Sequence, residues 1–153
     1  MAKVVSKDQL ADHVGKELGY SDWFKIDQNR INQFADATLD HQFIHVDPER
    51  AEKETPFGST IVHGYLTLSL LVYLTSETAI KLDKMVMVLN YGLNKLRFLQ
   101  PVKVNSEIRL KHKLLDVTER NPGQYLLTSE VTIEIKGEEK PALIAETLAL
   151  YVT

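Results

Sequence analysis

The sequence predicts an α+β fold, in which a long antiparallel sheet curls around one central helix. The first observation is a segment from residue 63 to about residue 81 whose middle is apolar nearly all round, as in a helix that is buried on every side. The second is a set of at least four later stretches predicted as long strands, two of which alternate apolar and polar residues as half-buried strands do. Because the helices precede a run of consecutive strands, they are expected to form a separate layer.

The alternating stretches define the individual strands. EIRLKHKLLD, which begins at residue 107, places four side chains on one side: Ile108, Leu110, His112 and Leu114. After a turn at Asn-Pro-Gly, QYLLTSEVTIEI (residues 124–135) alternates again. ALIAETLALYV (residues 142–152) and MVMVLNYGLNKLRFL (residues 85–99) are predicted as two further long strands, and LGYSDWFKI (residues 18–26) as a short first strand.

Two shorter helices are predicted between the first strand and the central helix. Asp27 is a suitable N-cap for a helix whose apolar residues follow the i, i+3, i+4, i+7 spacing from Ile31. In VDPERAEKE, Asp47 is the expected N-cap and Pro48 the first helical residue, where the N–H that proline lacks is not needed. Asp47 is therefore expected to have a structural role.

Composition and length indicate one soluble domain that spans residues 1–153, because 44% of the residues are hydrophobic and 25% are charged. The net charge of −3, from 18 basic and 21 acidic residues, argues against broad binding of nucleic acid. The chain has no cysteine, which excludes disulfides and thiolate metal sites. The N-terminal segment lacks the apolar core of a signal peptide, and the longest largely apolar stretch, residues 65–74, is shorter than the roughly 20 residues that span a bilayer. No membrane association is expected, and the expected location is the cytoplasm.

Asp40 and His45 are the candidate catalytic residues in LDHQFIHVDPERA, residues 39–51. In a loop, this spacing can bring a carboxylate and an imidazole to one small molecule, and such a pair suits general acid–base chemistry. The alternative is that both residues only satisfy backbone groups of the loop. His41 has no partner at a telling spacing and is expected to be a surface or packing residue. The acidic and histidine residues of this stretch could ligate a metal, but their spacing matches no metal signature, so no metal site is expected.

Gly64 lies where the central helix begins, in IVHGYLTLSLL. A helix N-terminus has unpaired N–H groups and a partial positive charge, and glycine lets a ligand come close to the backbone. The Gly64 N–H could therefore serve as an oxyanion hole for a carbonyl oxygen. The alternative, equally open at this point, is that His63 and Gly64 only start the helix.

The runs DHQFIHVDPERA and FGSTIVHGYLTLSL resemble those of the MaoC-like (R)-specific enoyl-CoA hydratases, also called hydratase 2. YGLNKLRFLQPV resembles a second stretch of the single-domain bacterial members, which include a NodN-like branch. The resemblance implies the hot-dog fold, an antiparallel sheet wrapped around one long helix. It also implies that Asp40 and His45 are the catalytic pair and that Gly64 supplies the oxyanion-hole amide. Gln42 and Phe43 stand where that family usually has Asn and Pro.

The resemblance further implies reversible syn addition of water to a trans-2-enoyl-CoA, which gives an (R)-3-hydroxyacyl-CoA, without a cofactor. Substrate-binding roles are expected for five polar or basic residues: Gln42, His63, Asn94, Lys95 and Arg97. The two basic residues are candidates for the CoA phosphates; the alternative is that they are outward charges on a solvated strand. Two other functions stay open, a hot-dog acyl-CoA thioesterase and a non-catalytic acyl-CoA-binding domain. A homodimer is expected, because joining two sheets edge to edge covers an exposed strand.

Overall fold

The computed structural model describes residues 3–153, so the first two residues of the predicted domain lie outside the described range. Its strands are β1 (Lys3–Val5), β2 (Glu17–Tyr20), β3 (Phe24–Lys25), β4 (Ile80–Leu82), β5 (Met87–Phe98), β6 (Glu107–Asn121), β7 (Gln124–Ile135) and β8 (Leu143–Val152). Its helices are α1 (Lys7–Leu10), α2 (Gln28–Thr38), α3 (Phe43–Val46), α4 (Pro48–Glu54), α5 (Gly64–Ser69) and α6 (Leu71–Thr75). A short 3-10 helix, Ala11–His13, follows α1.

The main sheet is antiparallel and has six strands, in the order β2-β6-β7-β8-β5, with β3 also paired to β6. The four predicted long strands, β5 to β8, are therefore confirmed. The predicted first strand is instead split into β2 and β3. Between them, the Ser21 hydroxyl accepts the Leu110 N–H at 2.9 Å, so a side chain replaces a backbone carbonyl in the ladder. A second sheet, in which β1 and β4 pair in parallel, was not predicted.

The alternation predicted for β6 and β7 is confirmed by burial. The predicted inward side chains of β6 are all buried: Ile108, Leu110, His112 and Leu114. Every second residue of β7 from Tyr125 to Ile135 is buried in the same way. The inward face of the sheet packs against the central helix, since Leu66 and Leu74 belong to the same core cluster as Val131. Removing this apolar surface from water is the main source of stability for such a layer.

The central helix is shorter than predicted. It consists of α5 and α6, joined at Leu70, and ends at Thr75 rather than near Lys81, which lies in β4. At its end the Ser76 hydroxyl donates to the Tyr73 carbonyl at 2.6 Å. Such a bond competes with the helical hydrogen bonds of the last turn. The pairing of β4 with β1 then requires extended backbone.

The prediction that the central helix is buried on every side is wrong for the described chain. Three of its apolar side chains are exposed: Tyr65 (69%), Val72 (60%) and Tyr73 (53%). The cause is that the sheet covers only one side of the helix, where its leucines are buried. The edge strand β5 is also exposed along most of its length. Apolar surface is thus open on both the helix and the neighbouring sheet edge.

Both predicted N-caps are confirmed. The Asp27 carboxylate accepts a hydrogen bond from the Arg30 N–H at 2.9 Å at the start of α2. The Asp47 carboxylate accepts one from the Arg50 N–H at 3.1 Å, and Pro48 is the first residue of α4. Among residues 3–153, no helix has the length and apolar character needed to cross a bilayer.

Candidate active site

Asp40 lies in the short loop between α2 and α3. Leu39 ends α2 in the left-handed region, with a φ of 64°. This conformation is costly for a side chain as bulky as leucine, and backbone strain of this kind is concentrated at functional sites. Asp40 Oδ1 accepts a hydrogen bond from the Gln42 N–H at 3.3 Å, and the side chain is 53% exposed. The carboxylate is therefore held beside the start of α3 and is open to solvent.

His45 lies in the one-turn helix α3 rather than in the loop, and it is buried, with only 7% exposed. Its Nδ1–H donates to the Ile61 carbonyl at 2.8 Å, since a carbonyl oxygen only accepts. Burial lowers the pKa of His45 below its ordinary value; the bonded carbonyl and Asp40 oppose this effect, and His63 adds to it. The ring is thus neutral at pH 7, and Nε2 carries a free lone pair that can accept a proton.

Gln28, at the start of α2, fixes the backbone of His45. Its Nε2 donates to the His45 carbonyl at 2.7 Å, and its Oε1 accepts a hydrogen bond from the Thr60 hydroxyl. This side chain therefore ties α2, α3 and the segment before α5 together. Nothing in the sequence pattern distinguishes Gln28, because a polar residue directly after an N-cap looks like an ordinary solvated residue.

His63 contacts both catalytic candidates and is almost fully buried, with 2% exposed. Its ring stacks on the His45 ring, with centroids 3.9 Å apart and planes inclined by 22°. Its Nε2 donates to the Asp40 carbonyl at 3.0 Å and lies 4.0 Å from Asp40 Oδ2. Within the described residues its Nδ1 has no hydrogen-bond partner. His63 thus links the Asp40 loop to the His45 ring from inside the protein.

Gly64 follows His63 as the first residue of α5. It borders a cavity of about 320 Å³, whose wall also includes His45, Thr67 and Phe98. A Cβ at position 64 would lie only 3.1 Å from Phe98 Cε1, so a side chain here would require the Phe98 ring to shift by a few tenths of an ångström. Because the first N–H groups of a helix have no helical acceptor, the Gly64 N–H is available to a ligand.

The other predicted substrate-binding residues lie away from this cavity. Gln42 is exposed at the start of α3. On β5, Asn94 Nδ2 donates to Glu146 at 2.9 Å, and Lys95 Nζ lies 3.8 Å from the same carboxylate. Arg97 is exposed, and its guanidinium donates to its neighbour's carbonyl at 2.7 Å. None of the three β5 residues lines the cavity as the structure describes it, so their role in substrate binding stays a prediction.

A metal ion could use a different set of residues from the one considered in the sequence. Asp40, His45 and His63 each have a ligand atom within 4.8 Å of the others. Two of the four imidazole nitrogens in this group already donate to backbone carbonyls. His41 lies apart at the surface and bonds to Asp36 at 2.8 Å, which confirms its predicted surface position. The expectation of no metal site stays a prediction, which chelation can test.

An antiparallel sheet packed against a central helix, with an acid and a buried histidine beside the start of that helix, is the arrangement of a hot-dog protein of the hydratase or dehydratase class. The chain belongs to the MaoC-like family: the family described as "MaoC like domain" matches residues 9–134. The predicted fold and family are therefore confirmed.

Several relatives match nearly the whole chain, among them a nodulation protein and a dehydratase. Nodulation protein N of Rhizobium leguminosarum bv. viciae is 46% identical over 146 residues, which is 95% of this chain and 91% of that protein. The 3-hydroxyacyl-thioester dehydratase Z of Mycobacterium tuberculosis is 46% identical over 144 residues, or 94% of this chain and 93% of that protein. Among solved structures, a monoamine oxidase regulatory protein from Archaeoglobus fulgius has a TM-score of 0.82 at 22% identity, covering 100% of this chain and 98% of that one. This last likeness concerns the fold alone.

Proposed function

We propose that the protein catalyses the reversible syn addition of water to a trans-2-enoyl-CoA, which gives the (R)-3-hydroxyacyl-CoA. The observation that carries this proposal is the position of His45. Its buried, neutral imidazole lines the same cavity as Gly64. A ligand atom of Asp40 lies within 4.8 Å of one of His45, so one water molecule can contact both. The similarity to 3-hydroxyacyl-thioester dehydratase Z supports an acyl-thioester substrate.

The chemistry needs one proton to leave water and one to reach the substrate. In the hydration direction, a water between Asp40 and His45 loses a proton to the pair as its oxygen attacks the β-carbon. The pair then returns one proton to the α-carbon on the same face, so its total protonation is unchanged over the cycle. The free lone pair on His45 Nε2 suits the first of these steps.

The Gly64 N–H is proposed to stabilise the negative charge that grows on the thioester oxygen during attack. It belongs to the first turn of α5, where the helix dipole adds a partial positive charge. Loss of one such donor typically costs about 2.7–4 kcal/mol in the transition state. A larger residue at this position would also meet the Phe98 ring, as noted above.

The CoA moiety is proposed to bind beside β5, where Lys95 and Arg97 project into solvent. Lys95 is 80% exposed, so its ammonium group can reach a phosphate. Asn94 and Gln42 would add amide groups for hydrogen bonds to the carrier or the thioester. His63 is buried against the catalytic candidates and is not among the residues that line the cavity, so it would contact the substrate only where those candidates meet it.

The first test is a spectrophotometric assay with crotonyl-CoA on protein dialysed against a chelator. Loss of the enoyl absorbance without release of free thiol is the expected result. Release of thiol would instead show a thioesterase, and tight binding without turnover would show a non-catalytic acyl-CoA-binding domain. Activity that is lost on chelation and restored by a divalent cation would contradict the prediction that no metal is used.

A homodimer is proposed because the edge strand β5 is long, apolar and unpaired on its outer side in the described chain. Its exposed apolar side chains include Val88 (44%), Leu89 (47%) and Tyr91 (51%). Such an edge readily pairs with a strand of another chain. The exposed helix side chain Tyr65 contacts Phe98 of β5, with ring centroids 6.1 Å apart, so the apolar surface of the helix is continuous with this edge.

Leu89→Lys is expected to convert the dimer to a monomer, because a buried lysine charge at the joined edge lacks a partner. The measurement is light scattering at micromolar protein concentration. Val4→Lys is the matched control, since Val4 is also an exposed apolar residue (63%) but lies on β1. It is expected to leave the dimer unchanged. A wild-type protein that is monomeric at this concentration would refute the proposed assembly.

A further inference from the structure

A second, larger cavity of about 560 Å³ lies between the central helix and the inward face of the main sheet. Its volume is within the range of ligand pockets, roughly 300–1,000 Å³. Its wall is mostly apolar and includes Leu71, Leu114 and Leu127. The two cavities lie along the same helix: Thr67 lines the smaller cavity, and the next residue of α5, Leu68, lines the larger one.

The wall of this larger cavity contains a polar cluster that the proposed chemistry does not use. His112 on β6 is buried, and its Nδ1 forms a hydrogen bond of 2.9 Å with the Thr78 hydroxyl. Its Nε2 has no protein partner among the hydrogen bonds of the described chain, and the residue lines the cavity. Buried Ser129 on β7 and Thr147, its partner on β8, line the cavity as well. A polar group facing an apolar cavity costs free energy unless something bonds to it.

The cluster is electrically neutral at pH 7. Burial lowers the pKa of His112 to about 4, and it raises the pKa of Tyr151, which also lines the cavity, to about 12. Lys81 lines the cavity too, but its residue is exposed. A carboxylate buried here would therefore lack a charged partner, whereas a hydroxyl group would fit. A hydroxyl both donates and accepts, so it can bond to either neutral tautomer of the imidazole.

We propose that the larger cavity receives the acyl chain of the substrate, and that His112, together with Ser129, selects chains that carry a hydroxyl group far from the thioester. This inference rests on the proposed function, because it assigns the acyl part of the same substrate. It makes His112 a specificity-determining residue for an oxygenated acyl chain rather than a part of the catalytic pair.

The length of the central helix indicates how long the acyl chain of the substrate must be. Gly64 borders the smaller cavity and Thr75 the larger one, and the helical rise of about 1.5 Å per residue separates them by roughly 16 Å. Thr78, the partner of His112, lies beyond the end of α6. A chain that reaches the polar cluster from Gly64 must run along most of the helix. The expected substrates are therefore medium or long acyl chains with the hydroxyl group near the distal end.

The test uses pairs of trans-2-enoyl-CoA substrates of equal length, one plain and one with a terminal hydroxyl group, over a series of chain lengths. The wild-type protein is expected to show a maximum in the ratio of kcat/KM for the hydroxylated and plain substrates at one length. His112→Phe is expected to lower that ratio roughly tenfold, the effect of losing one buried hydrogen bond. His112→Gln, which keeps a hydrogen-bonding group, is expected to retain part of it.

Leu127→Met is the matched control, because Leu127 lines the same cavity without a polar group and its replacement should leave the ratio unchanged. A ratio that is the same in wild-type protein and in folded His112→Phe would overturn the inference. That result would mean that an ordered water, rather than the substrate, forms the hydrogen bond to His112. If no enoyl-CoA is hydrated at all, the proposed function fails, but the cavity remains testable. Calorimetry with plain and terminally hydroxylated fatty acids of equal length must then show the same His112-dependent preference, or the inference fails as well.

Discussion

Asp40→Asn and His45→Gln are each expected to lower the turnover of crotonyl-CoA by orders of magnitude while the protein stays folded. Asparagine keeps the shape of Asp40 but cannot exchange a proton, and glutamine removes the titrating ring of His45. Folding should tolerate both changes, since the Asp40 side chain is half exposed and glutamine can still donate to the Ile61 carbonyl. General acid–base groups typically contribute 10²–10⁴-fold to a rate.

The measurement is the initial rate of enoyl absorbance loss, together with circular dichroism to confirm the fold. Asp36→Asn and His41→Gln are matched controls, because these substitutions make the same chemical changes at an exposed, hydrogen-bonded aspartate–histidine pair close by in the sequence. Both controls are expected to have nearly the wild-type rate. Rates near wild type in both Asp40→Asn and His45→Gln would reject the catalytic assignment.

The free energy of unfolding is expected to fall as the pH is lowered from about 6.5 toward 4, and His112 is expected to contribute much of this change. Burial holds the pKa of His112 at about 4 in the folded protein, against its ordinary value of 6.5. In this window the unfolded chain binds the proton and the folded chain does not, so protonation favours unfolding. The stabilising contribution is fully present above pH 6.5. A difference of about 2.5 in pKa corresponds to about 3 kcal/mol, as an order of magnitude. His45, whose pKa is also lowered, acts in the same direction.

Urea unfolding at pH 7 and at pH 4.5 measures this effect at one fixed protein concentration, because dimerisation makes stability depend on concentration. His112→Phe is expected to show a clearly smaller loss of stability on acidification than the wild-type protein. His41→Gln, which changes an exposed histidine, is the control and should behave like the wild type. An equal loss in His112→Phe and the wild type would contradict the buried, neutral state of His112.

Local patterns in the sequence determined the strands, the helix caps and the acid–histidine pair. Alternation on β6 and β7 predicted which side chains are buried, because successive side chains of a strand point to opposite faces. Asp27 and Asp47 were predicted as caps because their carboxylates satisfy N–H groups within the next turn. Spacing alone made Asp40 and His45 candidates, because five residues of chain keep them close together, and the resemblance to the MaoC-like hydratases gave them the catalytic role, which stays a prediction.

Only the tertiary structure decided how distant segments meet. It ended the central helix at Thr75, where the chain turns to pair β4 with β1. It stacked His63 on His45 and tied Gln28 to the His45 carbonyl, across 18 and 17 residues of sequence respectively. It also left one side of the helix exposed beside β5, although the sequence predicted burial all round. The physical reason is that periodicity reports which side of an element is apolar, whereas the surface that covers that side is supplied by residues far away in the chain.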